Sequence, residues 1–170
     1  KPVSAYVASK SLSRIYSQGR TIDKIGEVRI GMGTGNNDLF LKNWWEVVYS
    51  KIGLNICDIT RVSSSKKKYF PYGKGGERKR WYGNHDFVVW YDDEGQNQMK
   101  FTPGHRENGG YDFYFHKGMT WSYSTMAAFC ARIMPTGFVF DVNGSSLFMT
   151  EEYYQYTIAF LQSCVGRFII

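Results

Sequence analysis

The spacing of apolar and polar positions changes several times along the chain, and each change predicts an element. Ala5, Ala8, Leu12, Ile15 and Tyr16 recur at helical spacing, with Gly19 placed to close a first helix. Residues 27–30 suit a short strand, and residues 39–48, dense in aromatic residues and Val, read as strand rather than helix. Residues 55–62 and 87–91 read as further strands, and Asp92-Asp93-Glu94-Gly95 as a solvated turn. Residues 101–118 are turn-rich, punctuated by Pro103-Gly104 and Gly109-Gly110. Residues 131–134, 138–141 and 145–149 read as short strands joined by Pro135-Thr136-Gly137 and by Asn143-Gly144, a dipeptide that favours hairpins. Thr150 is a suitable N-cap with Glu151 and Glu152 behind it, and Tyr154, Ile158, Leu161 and Val165 mark the apolar face of a last helix. The expected fold class is α+β: an irregular, mainly antiparallel sheet with flanking helices, forming one domain over residues 1–170.

Composition sharpens this picture. Five Trp, thirteen Tyr and twelve Phe in 170 residues favour sheet, because aromatic side chains fit half-buried pleated surfaces. A chain of this length can bury a core without disulfides or metals. No apolar run approaches the ~20 residues needed to span a bilayer, and residues 157–170 are interrupted by Gln162, Gly166 and Arg167. The first residues show no basic n-region with an apolar h-region, so no signal peptide is expected. Cys57, Cys130 and Cys164 are odd in number and far apart, which predicts reduced, mostly buried thiols in a cytoplasmic protein. His85, His105 and His116 fall in no metal-ligand spacing, so no metal is expected. The chain opens on Lys1-Pro2 and stops on Arg167-Phe168-Ile169-Ile170, as expected of a segment cut from a longer polypeptide, with residues 1–20 forming a helix that links to the missing part.

Charge is distributed very unevenly. Residues 61–80 hold eight Lys/Arg against one Asp/Glu, a balance of +7 in a chain whose net charge is +6. The cations are Arg61, Lys66, Lys67, Lys68, Lys74, Arg78, Lys79 and Arg80, interleaved with Tyr69, Phe70, Tyr72, Trp81 and Tyr82 and with glycines at 73, 75, 76 and 83. Two readings stand. The run can be a solvated loop, as Ser63-Ser64-Ser65 suggests. It can equally be a nucleic-acid surface, where cations neutralise phosphates, aromatic rings stack and glycines admit a ligand to the backbone.

Motifs for catalysis are weak. Gly31-Met32-Gly33-Thr34-Gly35, with Asp58 downstream, imitates a dinucleotide or S-adenosylmethionine loop, but the third glycine of G-x-G-x-x-G and a following helix are both lacking. Amino methyltransferases place Pro-Pro-aromatic after a polar residue, whereas Pro2, Pro71, Pro103 and Pro135 are never adjacent. Glu77-Arg78-Lys79 with Asp58 is too permissive a spacing to define a nuclease, and no serine sits in a G-x-S-x-G elbow. No catalytic residue and no cofactor-binding residue is assigned to this segment.

Several blocks together resemble one family. Gly31-Met32-Gly33-Thr34-Gly35-Asn36-Asn37-Asp38-Leu39-Phe40 resembles the G-L-x-T-G-D-N-x-x-F block of target-recognition domains in large single-chain adenine-N6 DNA methyltransferases, including restriction–modification fusions and BREX-type phage-defence methyltransferases. The stretch from Pro71-Tyr72-Gly73-Lys74 through Glu77-Arg78-Lys79-Arg80 to Trp81-Tyr82-Gly83-Asn84 resembles their P-Y-x-K-G-G-E-x-x-K-W-Y-G-N block. Gly118-Met119-Thr120-Trp121-Ser122 resembles their G-I-T-W-S block. Phe129-Cys130-Ala131-Arg132 with Gly137-Phe138-Val139-Phe140-Asp141-Val142-Asn143-Gly144-Ser145-Ser146 resembles the family's next stretch. The blocks run in family order across residues 31–146. Asn36 in place of Asp, Arg80 in place of Lys and Trp90 in place of Asn depart from the pattern.

The resemblance implies a fold like the specificity domains of type I restriction systems and a role in gripping duplex DNA, so that a catalytic domain elsewhere in the parent chain methylates a flipped adenine. S-adenosylmethionine is then expected in that missing domain, and other defence-system proteins are possible companions. Lys66, Lys67, Lys68, Lys74, Arg78, Lys79 and Arg80 are the expected phosphate contacts, with Arg78 or Arg80 placed to read guanine. Tyr82 is expected along the sugar–phosphate wall, while for Trp81 burial under the loop is favoured, as for most Trp. Thr34, Gly35, Asn36 and Asn37 form a polar turn that either holds a phosphate with its amides or is simply structural. Trp121 is expected to set the fold rather than touch DNA. Alternatives are a protein-interaction module of a defence complex, or a self-contained S-adenosylmethionine-binding enzyme.

Overall fold

The structure, a computed structural model, describes residues 10–123 and 129–169. The apolar positions Ala5 and Ala8 of the expected first helix lie outside the described residues. That helix, α1, spans Lys10–Gln18, and it stops where the Gly19 amide donates to the Ile15 carbonyl. Then follow β1 (Gly26–Arg29), β2 (Gly33–Thr34), α2 (Asn37–Phe40), β3 (Leu41–Asn43), α3 (Val62–Ser65), β4 (Tyr69–Gly73) and β5 (Phe87–Trp90). The second half holds α4 (Asp93–Lys100), β6 (His105–Arg106), β7 (Gly118–Thr120), β8 (Arg132–Met134), β9 (Val139–Phe140), β10 (Ser146–Met149), α5 (Glu151–Gln162) and α6 (Cys164–Ile169).

The class is α+β with mostly antiparallel sheets. One four-stranded sheet has the order β1-β10-β7-β8, a second has β3-β5-β4-β9, and β2 pairs with β6 alone. Of the strand pairs, β4 with β9 is parallel. Alternation along β10 decides the layering: Leu147 joins Tyr154, Ile158 and Leu161 of α5, whereas Phe148 joins the main aromatic core. The first sheet is therefore covered by α5 on one face and by that core on the other. Tyr154 donates its hydroxyl to the Gly118 carbonyl at 2.7 Å, and Gln162 donates its amide to the carbonyl of Ala131, so α5 is fixed at two points. The helix ends at Ser163, which leaves Val165 exposed rather than on the apolar face.

Several local expectations give way to side-chain capping. Residues 39–48 are not one strand. Asn36 accepts from the Leu39 amide and starts α2, and Asn43 with Glu46 forms a capping box around a 3-10 turn, which leaves β3 three residues long. Residues 55–62 are not a strand either, because Asp58 caps a 3-10 turn that runs into α3. Asp92, read as part of a solvated turn, accepts from the Gly95 amide and opens α4. Asn143-Gly144 makes no hairpin: β9 joins β4, β10 joins β1 and β7, and the turn carries the chain from one sheet to the other. Of the three cysteines, Cys130 is buried, while Cys57 and Cys164 are exposed.

Strand β4 runs through the cationic window. Pro71 is tolerated there because β9 pairs Tyr72 and Gly73 but leaves Pro71 with a partner on the β5 side alone. At its end, the buried Tyr72 hydroxyl lies 3.0 Å from the Asp141 carboxylate and 3.1 Å from the Met32 carbonyl. The Met32 amide donates to Phe140, Val142 donates back to Met32, and Asp141 donates to Gly73. Three distant stretches thus meet at one buried node. Glycine is required around it: a Cβ at Gly31 would collide with the Phe140 carbonyl, and one at Gly144 would lie 2.6 Å from that of Gly73.

Replacing Tyr72 with Phe strands the buried Asp141 carboxylate oxygen. Urea denaturation is expected to show a loss of about 1–3 kcal/mol, and an unchanged midpoint would contradict the node's role.

Candidate nucleic-acid interface

The segment from Lys74 to Asp86 leaves the node as a loop with an unusual backbone. Gly76 and Gly83 have φ of 137° and 132°, and Trp81 and Asn84 have φ of 66° and 60°. The Tyr82 amide donates to the Arg80 carbonyl at 2.7 Å, which makes Trp81 the centre of the strained form of γ-turn. A bulky residue in this region stores of the order of 1–3 kcal/mol and persists only where its surroundings over-determine it.

The surroundings do so. Ser122 Oγ accepts from the Gly76 amide at 3.1 Å and donates to the Gly76 carbonyl at 2.8 Å. Cys130 Sγ donates to the Lys79 carbonyl, the Ile133 amide donates to the Trp81 carbonyl, and Asn84 Nδ2 donates to the Glu77 carbonyl. Beneath lies Arg132, 1% exposed, with Nη2 3.3 Å from Ser122 Oγ. Burial pulls its pKa below the ordinary arginine value, yet a guanidinium remains a cation in proteins. The loop is held largely from its backbone, and within it Lys79 Nζ lies 3.8 Å from Glu77 Oε2. Lys74 and Gly75 are half-buried at its root, and Glu77, Arg78, Lys79 and Arg80 are exposed.

Trp81 corrects the sequence reading: it is 47% exposed, because the γ-turn uses its backbone and turns its ring out. Tyr82 is 62% exposed and sets its ring edge-on to His85 at 4.4 Å. Trp121, half-buried, packs against Phe129 at the edge of the cluster under α5.

The twelve predicted contacts fall into separate places. Lys74, Arg78, Lys79, Arg80 and Tyr82 lie on the pinned loop. The polar turn lies next to its root, because Thr34, Gly35 and Asn37 line a cleft of about 200 Å³ with Asp141, Val142 and Asn143. Asn143 in turn abuts Gly75: a Cβ there would be 2.7 Å from the Asn143 carbonyl. Within the turn, Thr34 is buried and donates to Asn37 Oδ1 at 2.7 Å, and Asn36 caps α2. Lys66, Lys67 and Lys68 stand at the other end of β4, five residues away, or roughly 16 Å at about 3.3 Å per residue. There they share a cleft with Asp92, Asp93 and Glu94. Lys68 Nζ also sits 4.1 Å from the Trp90 ring centroid, and Lys67 Nζ donates to the Ser50 carbonyl.

One further cation had no local signal. Arg106 is exposed on β6 and pairs with Gly33, which puts another cation beside the polar turn. Asp58, considered above as an acid, serves the Thr60 amide instead. Among the described residues no helix is long and apolar enough to cross a membrane.

The chain is related to a small part of adenine-specific methyltransferases. It is 33% identical over 168 residues to adenine-specific methyltransferase PglX of Lacticaseibacillus casei (strain Zhang), covering 95% of this chain and 14% of that protein. Against adenine-specific methyltransferase BrxX of Escherichia coli O9:H4 (strain HS), identity is 35% over 114 residues, covering 67% of this chain and 9% of that protein. The chain thus spans less than one-sixth of the length of either relative. No protein-family model matches it.

His85 provides a check on the loop's footing. It packs between Tyr82 and Phe138, and burial first, then the Arg132 charge, lowers its pKa from the usual 6.5. The unfolded chain therefore binds a proton that the folded chain refuses, so stability present above pH 6.5 is lost as pH falls below that value. Thermal melts between pH 7.5 and 5.5 are expected to show this loss, and His85→Phe is expected to flatten it. An undiminished pH dependence in that variant would place the effect elsewhere.

Proposed function

We propose that this chain is the duplex-DNA-recognition module of an adenine-N6-specific DNA methyltransferase of the BREX phage-defence or restriction–modification type. The observation that carries the proposal is the strained loop, fixed through its backbone and presenting Arg78, Lys79 and Arg80 to solvent, with Lys74 half-buried at its root. A surface that binds a polyanion gains from cations that need no reordering on contact. The named activity of both relatives supports the reading, since a site-specific methyltransferase must select its adenine. Methyl transfer from S-adenosylmethionine belongs, in this proposal, to a catalytic domain elsewhere in the parent chain.

In this arrangement Lys74, Arg78, Lys79 and Arg80 neutralise phosphates, and Arg78 or Arg80 reaches a guanine edge. Tyr82 lies against the sugar–phosphate wall. Arg106 and the turn of Thr34, Gly35, Asn36 and Asn37 extend the contact. Lys66, Lys67 and Lys68 contribute less, because Asp92, Asp93 and Glu94 face the same cleft.

Fluorescence anisotropy against mixed-sequence duplex DNA tests this. Engaging about four phosphates gives a log–log salt slope near −4. Joint replacement of Lys74, Arg78 and Arg80 by Ala is expected to weaken binding at least tenfold, and Ala at Lys66, Lys67 and Lys68 to do much less. A flat salt response sinks the proposal. Charge reversal at the three lysines that spares DNA but abolishes assembly with defence proteins would favour a protein-interaction module.

A further inference from the structure

Beside the cationic loop lies a second feature that phosphate binding does not use. An open cleft of about 420 Å³ is lined chiefly by aromatic and apolar side chains, among them Trp44, Tyr49, Tyr82, His85, Phe87 and Phe138. Its volume falls in the ~300–1,000 Å³ range of ligand clefts. Trp44, Tyr49 and Tyr82 are exposed at its walls. The walls are joined: the Trp44 amide donates to the Asp86 carbonyl, and the Tyr82, His85 and Phe138 rings form a continuous edge-and-tilt series. The polar groups in this wall are few: Asn55, Thr136 and His85, whose ring nitrogens are themselves buried away from the cleft.

The occupant must satisfy two conditions. It needs flat, weakly polar surface for the rings, and anionic charge outside the cleft suits it: no Lys or Arg lines the cleft, but Lys74 Nζ stands 5.1 Å from the ring centroid of its lining residue Phe87, and Tyr82 belongs to the loop that carries Arg78, Lys79 and Arg80. No carboxylate is among the lining residues. A nucleotide meets both conditions, since its base stacks on aromatic rings while its phosphates meet the cations. A buried aromatic side chain of another protein meets only the first.

We propose that this cleft takes an unstacked nucleobase, from a single strand or a locally opened duplex, with Trp44 and Tyr49 as its stacking walls. The proposal rests on the DNA-binding reading above for the origin of the base, and on the cleft alone for its capacity to hold one. The site lets the module favour DNA that is already distorted, which a phosphate-binding loop by itself does not distinguish.

The test is anisotropy at fixed salt, using a paired duplex, the same duplex with a one-nucleotide bulge, and an eight-nucleotide oligo(dT). The chain is expected to bind the bulged duplex about tenfold more tightly than the paired one, the scale of one base–aromatic stack. Tyr49→Ala and Trp44→Leu are each expected to reduce that preference while holding paired-duplex affinity within about twofold, whereas Tyr49→Phe retains it. Equal affinity for bulged and paired duplex, or a preference that survives both substitutions, overturns the inference and leaves the DNA-binding reading standing. If the paired duplex shows no salt-dependent binding, the DNA-binding reading fails, and oligo(dT) then decides the cleft: oligo(dT) binding that is lost in Tyr49→Ala supports it, and its absence overturns it. Capture of a Trp- or Phe-containing peptide without oligo(dT) also overturns it.

Discussion

The Tyr72 hydroxyl and the Asp141 carboxylate meet at a buried junction beside the cleft of the polar turn, and three distant stretches of chain are arranged around satisfying them. An unpartnered buried carboxylate is costly. Asp141 Oδ1 accepts from the Asn143 amide at 2.7 Å and Oδ2 faces Tyr72, so both oxygens are occupied. Burial, reinforced by the Asp141 charge, keeps the Tyr72 phenol protonated and therefore a donor. Because Met32, Gly73 and Phe140 close the surrounding backbone bonds, the node fixes the Gly31 block, the end of β4 and the exit from β9 relative to each other. These are the stretches from which the polar turn and the cationic loop depart. Their juxtaposition comes from packing at the node and needs no contact between the polar side chains themselves.

The loop depends on a second set of constraints, and the two sets have different chemistry. The node is buried and satisfied. The loop is exposed, and its contorted backbone is held by single side chains: Ser122 at Gly76, Cys130 at Lys79 and Asn84 at Glu77. Arg132 lies under it with Nε lacking a partner among the described residues. A buried guanidinium without a carboxylate beside it biases the local potential towards anions. The loop therefore carries positive charge from below as well as from its own side chains.

How much could be read from the sequence depends on the range of the interactions involved. Residues 87–91 declared themselves as a strand because β-branched and aromatic residues dominate them locally, residues 131–134 and 145–149 because Pro135-Thr136-Gly137 and Asn143-Gly144 delimit them, and Thr150 with two glutamates marked the start of α5. Asn36, Asp58 and Asp92 were visible too, but the aromatic and β-branched neighbours argued for strand or turn, and capping won. The assignment of β9 and β10 to different sheets was not legible, since Asn143-Gly144 favours a hairpin and only tertiary packing overrides it. Charge located the loop, but the interruption by β4, which separates Lys66, Lys67 and Lys68 from Lys74 and Arg78, was hidden behind Pro71 and the glycines. The aromatic cleft had no signal, because its walls come from residues as far apart as Trp44 and Phe138.

The Tyr72–Asp141 contact closes 69 residues of chain. Bringing such ends together costs loop-closure entropy, so the node forms only together with other tertiary contacts. Until it is complete the loop has no fixed root, and its lysines and arginines belong to an unstructured polycation of no defined spacing. Any anion that selects the finished arrangement is thereby linked to global folding, and it raises the stability of distant parts such as α5 as much as that of the loop it touches.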